Sequence, residues 1–136
     1  MVSAEQNRKI VEDAVAKWQL GNPEAFYQIL DENVNWTVIG TTEVSGTYTS
    51  RQDFIDDAVR KIGKRIDGQV TPKIVDIITE GDRLVFRWDG SGKMADGTPY
   101  HNRYSWAMTF KDGKVVEGTA YLDTALVDRL MELPSG

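Results

Sequence analysis

Residues 83–90 read RLVFRWDG, and the alternation is strict: Leu84, Phe86 and Trp88 fall on one face of a strand, Val85, Arg87 and Asp89 on the other. A half-buried strand of this composition has two readings. Either the Leu/Phe/Trp face enters the core and the charges are solvated, or the Arg/Asp face lines a polar-walled pocket and the aromatic face is covered by something else. The neighbouring sequence has the same period of two. Segments 69–80, 99–111 and 114–122 read as further strands, joined at Gly81-Asp82, Asp96-Gly97 and Asp112-Gly113, all hairpin signals. Four consecutive strands linked by tight turns make a curved antiparallel meander.

Upstream of residue 65 the period is 3.6. Ser3 and Gln6 form a capping-box pattern ahead of Ile10, Val11, Ala14, Val15 and Trp18, with Gly21 as the stop. Asn22-Pro23 restarts a helix with Asn22 as N-cap, burying Phe26, Ile29 and Leu30 and stopping near Asp31. Val34, Trp36 and Val38 alternate in a first strand, and Ser50 caps a third helix that carries Phe54, Ile55, Ala58, Val59 and Ile62 to Gly63. Asp123 caps a short last helix with Leu126, Val127, Leu130 and Met131. The order ααβαββββα segregates the helices to one face of an antiparallel sheet, giving an α+β fold. A strongly curved sheet with helices packed on its concave face is a cone, a shape suited to holding a small-molecule ligand.

The 136 residues, 40% of them hydrophobic, predict a single domain spanning residues 1–136. A formal net charge of −5 without a basic stripe argues against nucleic acid as partner. The absence of Cys removes disulfides and thiolate chemistry, and a lone His removes a histidine-rich metal site, so no metal and no cofactor are expected. Nothing approaches an 18-residue apolar run, so no membrane partner is expected and the reading is a cytoplasmic protein.

The element order, the stretch NVNWTVIG…SGTY (33–48) and the stretch RWDGSGKMADGTPYHNRYSWAMTFKDGKVVEGTAYLDTALVDRLM (87–131) resemble the nuclear transport factor 2-like superfamily in its SnoaL-like, ketosteroid-isomerase-related branch. The resemblance implies the cystatin-like cone and a superfold that hosts isomerases, cyclases, hydrolases, dehydratases and non-catalytic partners. Arg87 and Asp89, with Gly97 and Tyr100 downstream, are similar in spacing to limonene-epoxide hydrolases, whose Arg-x-Asp pair points into the cone. Of the other residues those hydrolases use, the matching positions here hold Ala120, Trp36 and Val38, so the water-activating half of that site is missing. The ketosteroid isomerases' tyrosine, aspartate base and oxyanion-hole aspartate fall at Ala14, Thr37 and Trp106, and none matches.

Turn register turns these residues into a site. A two-residue Asp96-Gly97 turn places Asp89 opposite Tyr104 and Arg87 opposite Trp106, and a two-residue Gly81-Asp82 turn places Arg87 opposite Asp76. The expectation is a buried Arg87 between Asp76 and Asp89, with Asp89 moving a proton and Arg87 holding it or stabilising an oxyanion. Asn102, Tyr104, Trp106, Met108 and Phe110 alternate on one face, with Asn102, Tyr104 and Trp106 read as pocket wall. In the last hairpin, two residues at Asp112-Gly113 would bring Tyr121 opposite Tyr104. A glycine-bulged loop would bring Ala120 there and Leu122 opposite Asn102, and the resemblance favours the second. The expected ligand-binding set is therefore Trp36, Val38, Asp76, Asn102, Tyr104, Trp106, Ala120 and Leu122, with Asp89 and Arg87 catalytic. The expected function is a cofactor-free acid–base enzyme of isomerase, lyase/cyclase or hydrolase type acting on a small apolar or polycyclic molecule; the alternative is a non-catalytic ligand-binding or dimerisation module. A homodimer through the convex sheet face, around Phe86, Trp88, His101 and Arg103, would cover the apolar face that this reading leaves outside.

Overall fold

The computed structural model describes residues 2–135. Helix α1 (Ala4–Gln19) starts as the capping box requires: the Ser3 side chain accepts from the Gln6 backbone N–H, and the Gln6 side chain accepts from the Ser3 N–H. It turns Val11, Ala14, Val15 and Trp18 onto the sheet. Helix α2 is one turn (Glu24–Tyr27) with Pro23, not Asn22, at its N-cap. It ends before Ile29 and Leu30, because strand β1 (Leu30–Val38) claims Leu30 as a parallel partner of Val115. A short β2 (Gly46–Tyr48) follows that the periodicity does not announce.

The third helical run is capped by Ser50 as its sequence predicts, but it is not uniform: α3 (Arg51–Phe54) passes through a wider π turn at Ile55–Val59 into α4 (Arg60–Gly63). The meander comprises β3 (Ile66–Glu80), β4 (Arg83–Met94), β5 (Pro99–Lys111) and β6 (Lys114–Leu122), and α5 (Thr124–Met131) closes the chain. The Asp123 carboxylate accepts from the backbone N–H groups of Ala125 and Leu126, the capping role its position implies.

The six strands form one sheet in the order β2-β1-β6-β5-β4-β3. Every neighbouring pair is antiparallel except β1 and β6, which run parallel because α3, α4 and the meander lie between them in sequence. Leu84, Phe86 and Trp88 face inward and are buried, together with Trp106, Met108 and Phe110 from β5 and Trp18 and Phe26 from the helices. The first of the two readings of RLVFRWDG is therefore the observed one.

The reason is a single residue in the β4–β5 loop. Met94 donates its N–H to the Thr98 carbonyl, leaving Ala95, Asp96 and Gly97 as a three-residue loop with Gly97 at φ +91°. The Asp96 carboxylate accepts from the Thr98 N–H and fixes the turn. Compared with a two-residue turn, every β5 partner moves by one: Trp88 pairs with Tyr104, Phe86 with Trp106, Asp89 with Arg103 and Arg87 with Ser105. A one-residue slip carries each side chain to the opposite face. Arg87 and Asp89 thus stand on the convex side. The β3–β4 turn has the expected register, with Asp76 opposite Arg87, and a bulge at Val75 lets Ile74 and Ile77 both face inward beside it. In the last hairpin Lys111 pairs with Lys114 and a bulge follows, so Leu122 lies opposite Tyr104 and Ala120 opposite Trp106. Neither anticipated register is observed, yet the displacement is two residues and Ala120 keeps its inward face.

Candidate functional site

The concave face and the helices enclose a cavity of about 240 Å³. Trp18 (α1), Trp36 (β1), Trp88 (β4) and Trp106 (β5), every tryptophan in the chain, contribute to its wall, with Tyr27, Phe54 and Tyr104. The rings brace one another. Trp88 lies flat on Tyr104, with centroids 3.9 Å apart and planes 8° from parallel, and meets Trp106 edge-on at 5.0 Å. Trp36 also meets Trp106 edge-on, at 5.1 Å. Such pairs contribute about 0.5–1.5 kcal/mol beyond their buried area.

Two glycines make room for this arrangement. A Cβ on Gly118, the strand neighbour of Trp36, would stand 2.3 Å from the indole ring; one on Gly90 would stand 2.9 Å from both Trp88 and Tyr104. At the narrow end Val38, Val44, Ala120 and Leu122 complete the wall, and the π turn with α4 contributes Ala58, Val59 and Ile62. No lining residue bears a charge.

The polar groups at this wall are few. The indole N–H groups of Trp36, Trp88 and Trp106 are buried without a hydrogen-bond partner. The Tyr104 hydroxyl lies 2.8 Å from that of Tyr100, to which the Asn102 amide donates at 3.1 Å. Asn102 in turn is clamped by the Asp123 backbone, donating to its carbonyl and accepting from its N–H. Burial pushes the phenols of Tyr104 and Tyr27 well above the ordinary tyrosine value, with neighbouring Tyr100 and Glu24 adding to the respective shifts. Both stay protonated across the physiological range.

Of the residues expected at the site, Trp36, Val38, Tyr104, Trp106, Ala120 and Leu122 line the cavity. Asn102 is buried one step behind it, under Tyr100. Asp76, Arg87 and Asp89 are not in the cone. Arg87 makes a bidentate pair with Asp76, both bonds 2.7 Å, on the water-facing side of the sheet, with 49% and 43% of the two side chains exposed. Arg87 holds the Asp76 carboxyl below its ordinary range, chiefly through these hydrogen bonds. A surface pair of this kind needs no second carboxylate, so the expected Asp76–Arg87–Asp89 cluster inside the pocket does not form.

Phe86 and Trp88, expected on the convex face, are core. Residues not expected at the site include Trp18, Tyr27, Phe54 and Trp88 in the wall and Tyr100 behind it. Trp18 and Phe54 carried a signal as the aromatic members of helical apolar stripes. Tyr27 carried none, since helix spacing singled out Phe26 instead. Among the described residues no cluster of three or more His, Cys, Asp or Glu side chains is placed to hold a metal ion, and no helix is long and apolar enough to cross a membrane.

Solved structures share this architecture. An NTF2-like protein from Burkholderia thailandensis E264 superposes with a TM-score of 0.77 at 25% identity, over 94% of this chain and 98% of its own. TerC, crystallised with polyporic acid, gives 0.74 at 19% identity over 93% and 98%. A protein of ketosteroid isomerase-like fold from Catenulispora acidiphila, in complex with trimethylamine, gives 0.70 at 18% identity over 93% and 94%. No curated protein matches the sequence. The sequence pattern of the SnoaL-like domain matches residues 11–118, most of the chain and every element from α1 into β6, and this protein belongs to the SnoaL-like domain family.

Proposed function

We propose that this domain binds a small, neutral, largely apolar molecule inside the cone. The observation that carries the reading is a cavity of about 240 Å³ walled by all four tryptophans and by no charged side chain. An apolar cavity of roughly 150 Å³ holds benzene, so this one has room for one or two fused rings. Trp88, Trp106 and Tyr104 line the cavity, where the parts of their rings not packed on one another would contact such a ligand. Two structural relatives hold small molecules, polyporic acid in one and trimethylamine in the other, which supports a small-molecule ligand here.

An acid–base reaction of isomerase, lyase/cyclase or hydrolase type would need a base as well as an acid at the ligand. The cavity offers phenols held in their protonated form, and no carboxylate or imidazole lines it. Asp89, the base anticipated from the sequence, faces away. Geometry therefore favours the ligand-binding alternative over carboxylate-driven catalysis.

Naphthalene titrated into the protein while tryptophan emission is followed tests this. A saturable 1:1 change is expected, and Ala120→Leu, which fills the space opposite Trp106, should weaken it at least about tenfold, the equivalent of roughly two lost methylene sites. A response that stays linear with naphthalene, or an Ala120→Leu variant that binds as the wild type does, would rule out occupation of the cone.

A further inference from the structure

We infer that the wall carries a directional hydrogen-bond chain, from the Asp123 backbone through Asn102 and Tyr100 to Tyr104, that leaves the Tyr104 O–H as a donor for a hydrogen-bond-accepting oxygen on the ligand. The inference deepens the ligand-binding reading and rests on it. It adds which residue selects the ligand's polar group, and of what kind.

The direction follows from counting donors and acceptors. Asp123 presents a backbone N–H and a backbone carbonyl to the Asn102 side chain, at 3.0 and 3.1 Å. Only one orientation of the amide satisfies both, with Oδ1 on the N–H and Nδ2 on the carbonyl. The second proton of Nδ2 then points to the Tyr100 oxygen at 3.1 Å, so Tyr100 is an acceptor in that bond.

Tyr100 is buried, and its own proton has one oxygen in reach, that of Tyr104 at 2.8 Å. Whichever phenol donates, one proton is left without a protein acceptor: on Tyr100, 2% exposed and behind the wall, nothing could meet it, whereas on Tyr104, which lines the cavity, a ligand can. Tyr100 therefore donates and Tyr104 accepts. The Tyr104 proton has no acceptor among the described residues, and Tyr104 lines the cavity. Hydrogen bonds in series polarise one another, so Tyr104 is a better donor than a lone phenol.

The chemical consequence is selectivity for acceptors. A ligand with a carbonyl or ether oxygen at this point completes the chain. A hydrocarbon of the same shape leaves the donor unmet. Tyr27, the other cavity phenol without a partner among the described residues, and the unpartnered indole N–H groups of Trp36, Trp88 and Trp106 are the rivals for this role.

The test compares 1-tetralone with tetralin, near-isosteres that differ by a carbonyl oxygen, by calorimetry on wild type, Tyr104→Phe, Tyr100→Phe and Tyr27→Phe. The preference for the ketone, as the ratio of the two dissociation constants, is expected to fall about three- to tenfold in Tyr104→Phe. A smaller fall is expected in Tyr100→Phe and none in Tyr27→Phe, the ratio cancelling any change in wall packing that the two compounds share. Ketone preference that survives Tyr104→Phe, or that vanishes in Tyr27→Phe instead, overturns the assignment while leaving cavity binding intact. Failure of either compound to bind wild type overturns the binding reading itself, and this inference with it.

An infrared readout needs no variant. The carbonyl stretch of 1-tetralone bound to the wild-type protein should lie at lower wavenumber than in cyclohexane. A stretch at the cyclohexane position contradicts a hydrogen bond from any phenol.

Discussion

Arg87, Trp88 and Asp89 are consecutive, and which of them meets the cavity depends on parity alone. Trp88 is buried and stacked on Tyr104, while Arg87 satisfies its guanidinium on Asp76 in water. Residue types legible from the sequence as chemically capable therefore ended on the face where that capability is solvated. The row Tyr104, Trp106 and Met108 falls on one face as its alternation predicts, because parity within a strand needs no knowledge of a turn. Asp89→Asn is accordingly expected to leave ligand affinity within about twofold of wild type, whereas its effect would be large if Asp89 reached the ligand; the same naphthalene titration reads this. The buried phenols give a pH dependence. Tyr104 and Tyr27 have folded-state pKa values raised above the unfolded value near 10 by burial. Their contribution to stability is thus fully present below pH 10 and is lost as pH rises from there toward the folded values. Urea midpoints should be flat from neutrality to about pH 9 and fall steeply above 10, and Tyr104→Phe should flatten part of that fall.

At the scale of elements, the strands of the meander were legible almost to the residue, because alternation and D-G or G-D punctuation mark both their bodies and their ends. What was not legible was the count of residues in each turn. The Asp96-Gly97 pair reads equally as a two-residue turn or as the end of a three-residue loop, and the choice is settled by packing Trp88 against Trp18 and Trp106. The parallel β1–β6 pairing was likewise invisible, since it joins distant segments, and the π turn at Ile55–Val59 interrupts an apolar spacing that reads as uniform helix. The glycines that seat the aromatic rings are part of the same element-level design. Gly118→Ala should destabilise the fold by about 1–3 kcal/mol, because its Cβ would overlap the Trp36 ring across the β1–β6 pair, where only backbone shift gives relief. Asp123→Ala should cost about 1 kcal/mol through loss of the α5 cap. Both are read as shifts in urea midpoint at constant slope, and a Gly118→Ala protein as stable as wild type would contradict the tight seating of Trp36.

At the scale of the whole molecule, the helices cover the concave face and leave the convex face open. Val75, Ile78 and Tyr121 are 49%, 56% and 48% exposed there, beside Arg87, Asp76, Asp89 and Arg103. We propose that a second copy of the chain covers this face, because exposed apolar side chains lie on it among charges of both signs, a patch that can complement itself about a two-fold axis. Light scattering should then give twice the 15.3 kDa chain mass, reverting to the monomer in Ile78→Lys, while a wild-type monomer at micromolar concentration would contradict it. Such an assembly uses the face of the sheet opposite the cone, so ligand binding and association are separable. The central claim is that the aromatic cone, and not the charged convex face, is where this molecule meets its ligand. Crystals soaked with 1-bromonaphthalene put it to the test most directly. An anomalous bromine peak is predicted inside the cone, within contact distance of Trp88, Trp106 and Tyr104, whereas a peak confined to the groove lined by Arg87, Asp89, Arg103 and Tyr121, with the cone empty, would contradict it.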